Sequence, residues 1–187
     1  MPDEPRVRRA SRSQGRDHLG GPDVEWKFEP IYNSPSEWNI TARWMDYDPE
    51  RAGPYDVLDA MLIADEVRWR ASEMIALLFA KSRTLDQVRR ALTLSDCINL
   101  IGAALSPPRY GGTPNIQAPS VETMADCARL ASTGNRINRT LRQAVDAQGV
   151  LDEHAAQSLI PLLSDVGELA RTLYMRWYGE AGYGRGL

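Results

Sequence analysis

The stretch that decides the fold is PYDVLDAMLIADEVRWRASEMIALLFAK, residues 54–81. Gly53 and Pro54 suit the beginning of a helix, because proline fits the first helical position. Apolar residues then recur at steps of three and four, which is the period of one helix face. That face consists of Val57, Ala60, Met61, Ala64, Val67, Ala71, Met74, Ile75 and Leu78. The pattern predicts a helix from Pro54 to about Lys81 with this face in the protein core.

The next segment, residues 84–105, is also predicted to be helical. Thr84 and Gln87 form a capping-box pattern at its start. Residues 93–95 suggest a break before residues 96–105. With that break, the segment is either a buried part of a bundle or a helix-turn-helix. Its second half has no Arg, Lys or Gln to meet bases or phosphates, which favours the buried bundle helix.

Two further helices follow a long connection. Ser120 is a predicted cap for the third helix, and Gly149 is a predicted stop. Asp152 caps the fourth helix, in which Pro161 predicts a kink or a late start. The apolar seam of that helix consists of Ala155, Leu159, Leu162, Val166, Leu169 and Leu173. We therefore predict a mainly α fold, a four-segment helical bundle.

The N-terminal part of the chain differs from the bundle in composition. Seven of the fourteen aromatic residues lie in the segment from Val24 to Tyr55. Alternating apolar and polar residues predict an extended arm or a short β-hairpin, which is too small to be stable alone. The aromatic side chains must therefore cover either the protein's own helices or a partner. The partner-binding candidates are Trp26, Phe28, Trp38 and Trp44.

These patterns divide the chain into segments. The predicted organisation is a disordered tail over 1–22, an aromatic arm or hairpin over 23–53, a helical bundle over 54–178 with a flexible loop at 106–119, and a Gly-rich tail over 179–187. The loop assignment depends on four prolines and two glycines, which are incompatible with a continuous helix.

Composition limits the class of protein. Apolar residues make up 43% and charged residues 25%, values typical of a globular chain with a core. The apolar runs are too short to span a bilayer, so no membrane insertion is expected. The N-terminus has no apolar stretch after its charges, which predicts a cytoplasmic protein. The basic residues are almost all arginine, and this bias indicates a GC-rich bacterial coding sequence.

Residues suited to catalysis are few. Cys97 and Cys127 lie 30 positions apart in apolar helical surroundings, and His18 and His154 lie in a polar tail and near a helix start. Neither pair has the spacing of a metal site or a catalytic triad. We expect no catalytic, cofactor-binding or metal-binding residues and no enzymatic activity.

The carboxylates of the first helix have a simpler interpretation than catalysis. Asp65, Glu66 and Glu73 are expected to form ion pairs with Arg68 and Arg70.

The third helix has an unusual face. Gly134, Asn135 and Asn138 lie among apolar positions by helical spacing, which predicts a close helix contact whose register the amides fix. Four arginines are predicted to lie on the outer surface of the same helix: Arg129, Arg136, Arg139 and Arg142. They form either a solvated face or an anion-binding face that follows phosphates.

A family resemblance lies in this region. The pattern Leu130-x-x-x-Gly134-Asn135-x-Ile137-Asn138-x-x-x-Arg142, followed by Gly149, Leu151-Asp152 and the Leu-rich fourth helix, resembles the C-terminal region of bacterial plasmid mobilisation proteins of the relaxosome accessory family. The resemblance covers residues 127–176. It implies a protein that helps a relaxase engage a transfer origin, and hence contact with nucleic acid.

Three functions stay open from the sequence. The first is a non-enzymatic helical subunit or adaptor of a larger assembly, with other protein subunits as partners. The second is a relaxosome-like nucleic-acid-binding accessory protein, which meets nucleic acid directly or through its complex. The third is a small-molecule-binding or enzymatic bundle. The aromatic arm and the lack of a recognisable reaction site favour the first.

Overall fold

A computed structural model of the chain describes residues 57–105 and 120–180. These ranges contain four α-helices and confirm the mainly α, four-helix fold: α1 Val57–Phe79, α2 Leu85–Leu105, α3 Val121–Ala144 and α4 Glu153–Glu180. The predicted tail 1–22, arm 23–53 and loop 106–119 lie outside the described residues, as do residues 181–187. Within those ranges, no helix has a stretch apolar enough to cross a membrane.

The four helices form an up-down-up-down bundle. The contacting pairs are α1–α2, α2–α3, α3–α4 and α4–α1, so α1 and α3 occupy one diagonal. Neighbouring helices run antiparallel. Ser95 of α2 contacts Asn138 of α3, whereas Gly102, two turns further along α2, lies against Ala131, two turns earlier in α3.

One apolar core joins the helices. Every residue of the predicted α1 face is buried or packs partly buried against the core. Leu94 and Ile98 of α2, Ile137 and Leu141 of α3, and Trp177 of α4 are almost fully buried. Each such large side chain contributes about 1.5–3 kcal/mol by leaving water. Burial of these side chains is therefore the main reason that the helices associate.

The predicted starts of α2, α3 and α4 are confirmed, whereas the predicted start of the first helix at Pro54 lies outside the described residues. The Thr84 backbone N–H donates to Gln87 Oε1 at 2.9 Å, and the Gln87 N–H donates to Thr84 Oγ1 at 3.2 Å. Ser120 Oγ accepts from the Thr123 N–H at 3.1 Å, and Asp152 Oδ1 accepts from the Ala155 N–H at 2.7 Å. These acceptors satisfy backbone donors that have no partner inside the helix.

The predicted end of α3 near Gly149 is wrong, because the helix ends at Ala144. Val145 is extended and forms an isolated antiparallel bridge with Leu151. Asp146 Oδ1 accepts hydrogen bonds from the backbone N–H groups of Gln148 and Val150 at 2.9 and 2.8 Å, which closes a turn. Gly149 lies in that turn with a φ of 82°, a conformation that favours glycine.

The expected break in α2 is also absent. Leu85–Leu105 is one continuous helix, so residues 84–105 do not form a helix-turn-helix. Thr93 Oγ1 donates to the Arg89 carbonyl at 3.1 Å, and Ser95 Oγ donates to the Leu92 carbonyl at 2.8 Å. These bonds satisfy the buried hydroxyls within the helix.

Pro161 does not delay the start of α4. The helix begins at Glu153 and continues through Pro161, which is exposed. Of the two expected effects, the late start is therefore wrong, and the kink stays a prediction. Proline removes one backbone donor here, and Gln157, whose carbonyl that donor would have met, is an exposed residue.

Candidate functional site

The predicted close helix contact is confirmed at Gly134, and its partner is α2. A Cβ on Gly134 would lie 3.2 Å from the Ile98 carbonyl oxygen and 3.5 Å from the Asn99 Cα. This distance to the oxygen is tighter than most Cβ contacts, so even alanine would require a small shift of the neighbouring backbone. The two helices therefore meet at a close contact that a large side chain would force apart.

The buried amide of Asn138 contacts polar groups beside this glycine. Its Nδ2 donates to Ser95 Oγ at 3.0 Å and to Asp96 Oδ1 at 2.7 Å. Asn135 Nδ2 donates to Asn99 Oδ1 at 3.4 Å one turn away. Because these bonds form in one register only, the amides fix the alignment of α2 and α3.

The prediction for Arg142 is wrong. Its side chain is buried and forms an ion pair with Asp96, the same carboxylate that accepts from Asn138. Arg142 follows Asn138 by four residues, so helical spacing places both on the side that contacts α2. Arg142 therefore belongs to the helix interface and not to an anion-binding surface.

The other three arginines lie on the outer surface of α3, as predicted. We call Arg129, Arg136 and Arg139 the basic stripe, and all three are exposed. Steps of seven and three residues keep them on one side of the helix, over a length of about 15 Å. No acidic residue occurs in α3 after Asp126. The stripe is therefore a local concentration of positive charge in a chain whose net charge is −3.

A second surface, which the sequence analysis did not identify, lies on α1. All but seven of its 23 residues are apolar. Four large apolar side chains are exposed on the side opposite the core: Leu58 at 49%, Leu62 at 57%, Trp69 at 62% and Phe79 at 62%. A helix that is apolar on all sides is normally covered on all sides. The sequence contains one signal of this surface: α1 has large apolar residues at helical spacing that are not part of its predicted core face.

This surface is a continuous row of residues, which we call the outer stripe. Its members, at alternating steps of four and three, are Leu58, Leu62, Asp65, Trp69, Ser72, Ala76 and Phe79. A rotation of about 100° per residue keeps all seven within an arc of about 100°. The buried residues of α1 occupy the opposite side, so the outer stripe faces directly away from the bundle.

The side chain of Trp69, near the middle of the outer stripe, contacts a charged neighbour. The Arg68 guanidinium lies over the Trp69 ring, 5.0 Å from its centroid. Arg68 Nε and Nη2 donate to Asp65 Oδ1 at 3.1 and 2.7 Å. This cation–π contact and the bonds to Asp65 restrict the exposed indole before any partner binds.

The carboxylates of α1 are partly paired as predicted. Asp65 pairs with Arg68, and Glu66 pairs with Arg70. Glu73 accepts from Arg90 of α2, with two bonds of 2.8 Å, which is a pairing between helices that the sequence did not predict. The Glu73 side chain reaches the neighbouring helix, and the two-bond geometry matches a carboxylate to a guanidinium.

The described residues include two cysteines and several carboxylates whose surroundings the structure shows. Within residues 57–105 and 120–180, no three His, Cys, Asp or Glu residues are grouped as a metal site would require. Cys97 and Cys127 are buried free thiols. Burial, and secondarily the charge of Asp126, raises the pKa of the Cys127 thiol to about 12. At neutral pH this thiol is protonated and is a poor nucleophile.

A shallow cleft lies at the end of the bundle, between the α1–α2 and α3–α4 connections. Its volume is about 290 Å³, and two cations line it, Lys81 and Arg83. Arg83 already bonds to the Leu77 and Leu78 carbonyls at the end of α1 and to Glu153 Oε2 at 2.7 Å. The hydrogen bond from Arg83 lowers the pKa of the exposed Glu153 carboxyl. The arginine thus closes this end of the bundle and does not offer a free charge to a ligand.

The predicted partner-binding aromatics, Trp26, Phe28, Trp38 and Trp44, lie outside the described residues, and their role stays a prediction. No protein-family model, curated protein or solved structure matches the chain. The resemblance of residues 127–176 to plasmid mobilisation proteins therefore also stays a prediction.

Proposed function

We propose that this protein is a non-enzymatic helical subunit of a larger assembly and that the outer stripe of α1 binds a protein partner. The observation that carries the proposal is the exposure of Leu58, Leu62, Trp69 and Phe79 in one row on a helix. Contiguous exposed apolar surface is unfavourable in water and is typical of interaction sites.

The chemistry of the stripe suits protein binding. Apolar anchors at steps of three and four on a rigid helix match the way in which helices dock into grooves or onto other helices. Tryptophan is enriched among the residues that dominate binding energy, and Trp69 lies near the middle of the row. Its contact with Arg68 reduces the entropy that binding would otherwise cost.

The aromatic segment supplies a second proposed contact. Trp26, Phe28, Trp38 and Trp44 precede α1 in the chain and are anchors of the same chemical type. Two apolar contact regions in one small protein suit a subunit that joins other proteins. Carboxylates and arginines of the bundle that could serve a reaction are used instead in ion pairs between and within helices.

Affinity isolation from the native host tests the proposal. The variant Leu62→Ser/Trp69→Ser removes two anchors, and Val121→Ser removes an exposed apolar residue of α3 as a matched control. We expect a protein present in fixed ratio with the wild type and the control, and lost from the double variant. A partner kept equally by all three proteins would contradict the role of the outer stripe.

The second candidate function is nucleic-acid binding by the basic stripe. Arg129, Arg136 and Arg139 are exposed in one row, and the resemblance of residues 127–176 points to the same role. Three phosphate contacts would give an affinity that falls with salt at a logarithmic slope of about −2.7. The triple change of these arginines to glutamine should abolish that slope, whereas Arg171→Gln on the exposed surface of α4 should leave it unchanged. Duplex DNA binding that the triple change does not weaken would exclude this surface.

A further inference from the structure

The outer stripe is symmetric about its middle: its apolar and polar residues follow in the same order when α1 is read from either end. Trp69 lies near the middle. Leu62 and Ala76 lie seven residues to either side of it, and Leu58 and Phe79 lie at the two ends. The remaining positions, Asp65 and Ser72, lie on either side of the tryptophan and are the only polar members. Reversal thus exchanges apolar with apolar and polar with polar.

We propose that the partner of the outer stripe is a second copy of this chain, packed antiparallel and centred on Trp69. The inference rests on the proposed function, since it identifies the occupant of the same surface. A symmetric dimer requires one patch to be complementary to itself about a two-fold axis. The stripe meets this condition along its whole length of about 30 Å.

The antiparallel pairing has a definite register. Trp69 meets the Trp69 of the second copy, Leu62 meets Ala76, and Leu58 meets Phe79. The large residue meets the small one at the 62–76 position, which allows the helices to interdigitate. Asp65 meets the small, exposed Ser72, whose hydroxyl donates to the Arg68 carbonyl of its own helix at 3.1 Å and must turn away from it to donate to the carboxylate. Alternating steps of four and three are the spacing of a two-helix seam.

A parallel pairing is disfavoured by the same residues. It would place Asp65 against Asp65 between two apolar contacts, where like charges repel and water is partly excluded. It would also place Ala76 against Ala76, so that two small side chains leave a gap in the seam. The antiparallel register avoids both.

Charges beside the stripe are compatible with this pairing. Helical spacing places Glu66 near Glu73 of the second copy, but Glu66 is paired with Arg70 and Glu73 with Arg90. Arg68 lies on the other side of the stripe and is paired with Asp65. Because Asp65, Glu66 and Glu73 each have an opposite charge within their own chain, their repulsion across the seam is reduced.

Sedimentation of the full chain tests the dimer. A seam of this size is small for a protein interface, so we expect a dissociation constant of about 1–100 µM. Trp69→Glu places a charge at the centre and should weaken the dimer by at least about 100-fold. Val121→Glu, a charge at an exposed apolar site of α3, should leave the dimer unchanged.

Cysteine pairing tests the register. Leu62→Cys and Ala76→Cys should each stay uncross-linked alone and should form a disulfide-linked dimer when the two chains are mixed and oxidised. The native Cys97 and Cys127 are buried and do not interfere. Cross-linking of Leu62→Cys with itself would overturn the antiparallel arrangement.

Two further results would overturn the inference: a monomer at every concentration up to about 1 mM, well above the expected constant, or a dimer that Trp69→Glu leaves intact. If the full chain is monomeric but Trp69→Glu releases a different protein in the isolation experiment, the inference fails and the proposed function stands. If that experiment also shows no dependence on the outer stripe, both fail.

Discussion

The outer stripe of α1 and the basic stripe of α3 both face away from the core, but they differ in chemistry. The first presents Leu58, Leu62, Trp69 and Phe79, and the second presents Arg129, Arg136 and Arg139. Because α1 and α3 occupy a diagonal of the bundle, the two surfaces face opposite sides. A charged outer face is stable in water as it stands, whereas a contiguous apolar face is unfavourable in water and is typical of interaction sites.

The largest expected effect separates the two sides of α3. Arg142→Ala should cost about 3 kcal/mol of unfolding free energy, because it leaves the partly buried Asp96 without its ion pair. Arg139→Ala, on the exposed side of the same helix, should change stability by less than about 0.5 kcal/mol. Urea unfolding measures both. Equal losses would show that the assignment of the two sides is wrong.

Two substitutions in α1, one on its buried side and one in the outer stripe, test the same distinction. Met74→Ala should cost about 2–5 kcal/mol, because Met74 is fully buried. Leu62→Ala should cost less than about 0.5 kcal/mol when the protein is dilute and monomeric. The loss of unfolding free energy caused by Leu62→Ala should become larger at protein concentrations at which a partner covers the outer stripe. A loss at Leu62 that is large and independent of concentration would place this residue in the core.

A smaller effect is expected at the contact between α2 and α3. Gly134→Leu should overpack the approach to Ile98 and cost about 1–3 kcal/mol. Gly179→Leu in α4 is the matched control, since a Cβ there meets nothing within 4 Å. Leucine also has the better helix propensity, so the control should be neutral or slightly stabilising. Thermal unfolding of the two variants should therefore shift in opposite directions, and a shift of both to lower temperature would contradict the close contact.

The same comparison explains what the sequence could predict. In α3, charged residues mark the solvent side, so Gly134 and Asn138 were correctly predicted at a helix contact. The caps at Thr84, Ser120 and Asp152 were predictable because they depend on residues only three positions away. Local patterns of this kind need no knowledge of the tertiary structure.

The errors arose where distant residues decide the structure. Arg142 was assigned to the surface because its partner, Asp96, is 46 positions earlier in the chain. The bond between Glu73 and Arg90 was not predicted, because Arg90 lies in the next helix, 17 positions later in the chain. In α1 the sequence has two apolar faces, and the apolar pattern alone did not show which one lies in the core and which one is exposed.

Hydroxyl-radical footprinting of the full chain tests the central claim most directly, because it reports on the outer stripe and on control sites in one sample. The readout is the oxidation of Trp69 and Phe79 relative to Met175 of α4, whose side chain is 54% exposed. We expect Trp69 and Phe79 to be protected from oxidation in the assembly isolated from the host. Met175 should be oxidised at the same rate in the assembly and in the dilute protein. Equal oxidation of Trp69 in the dilute protein and the assembly would contradict the claim that a protein partner covers the outer stripe.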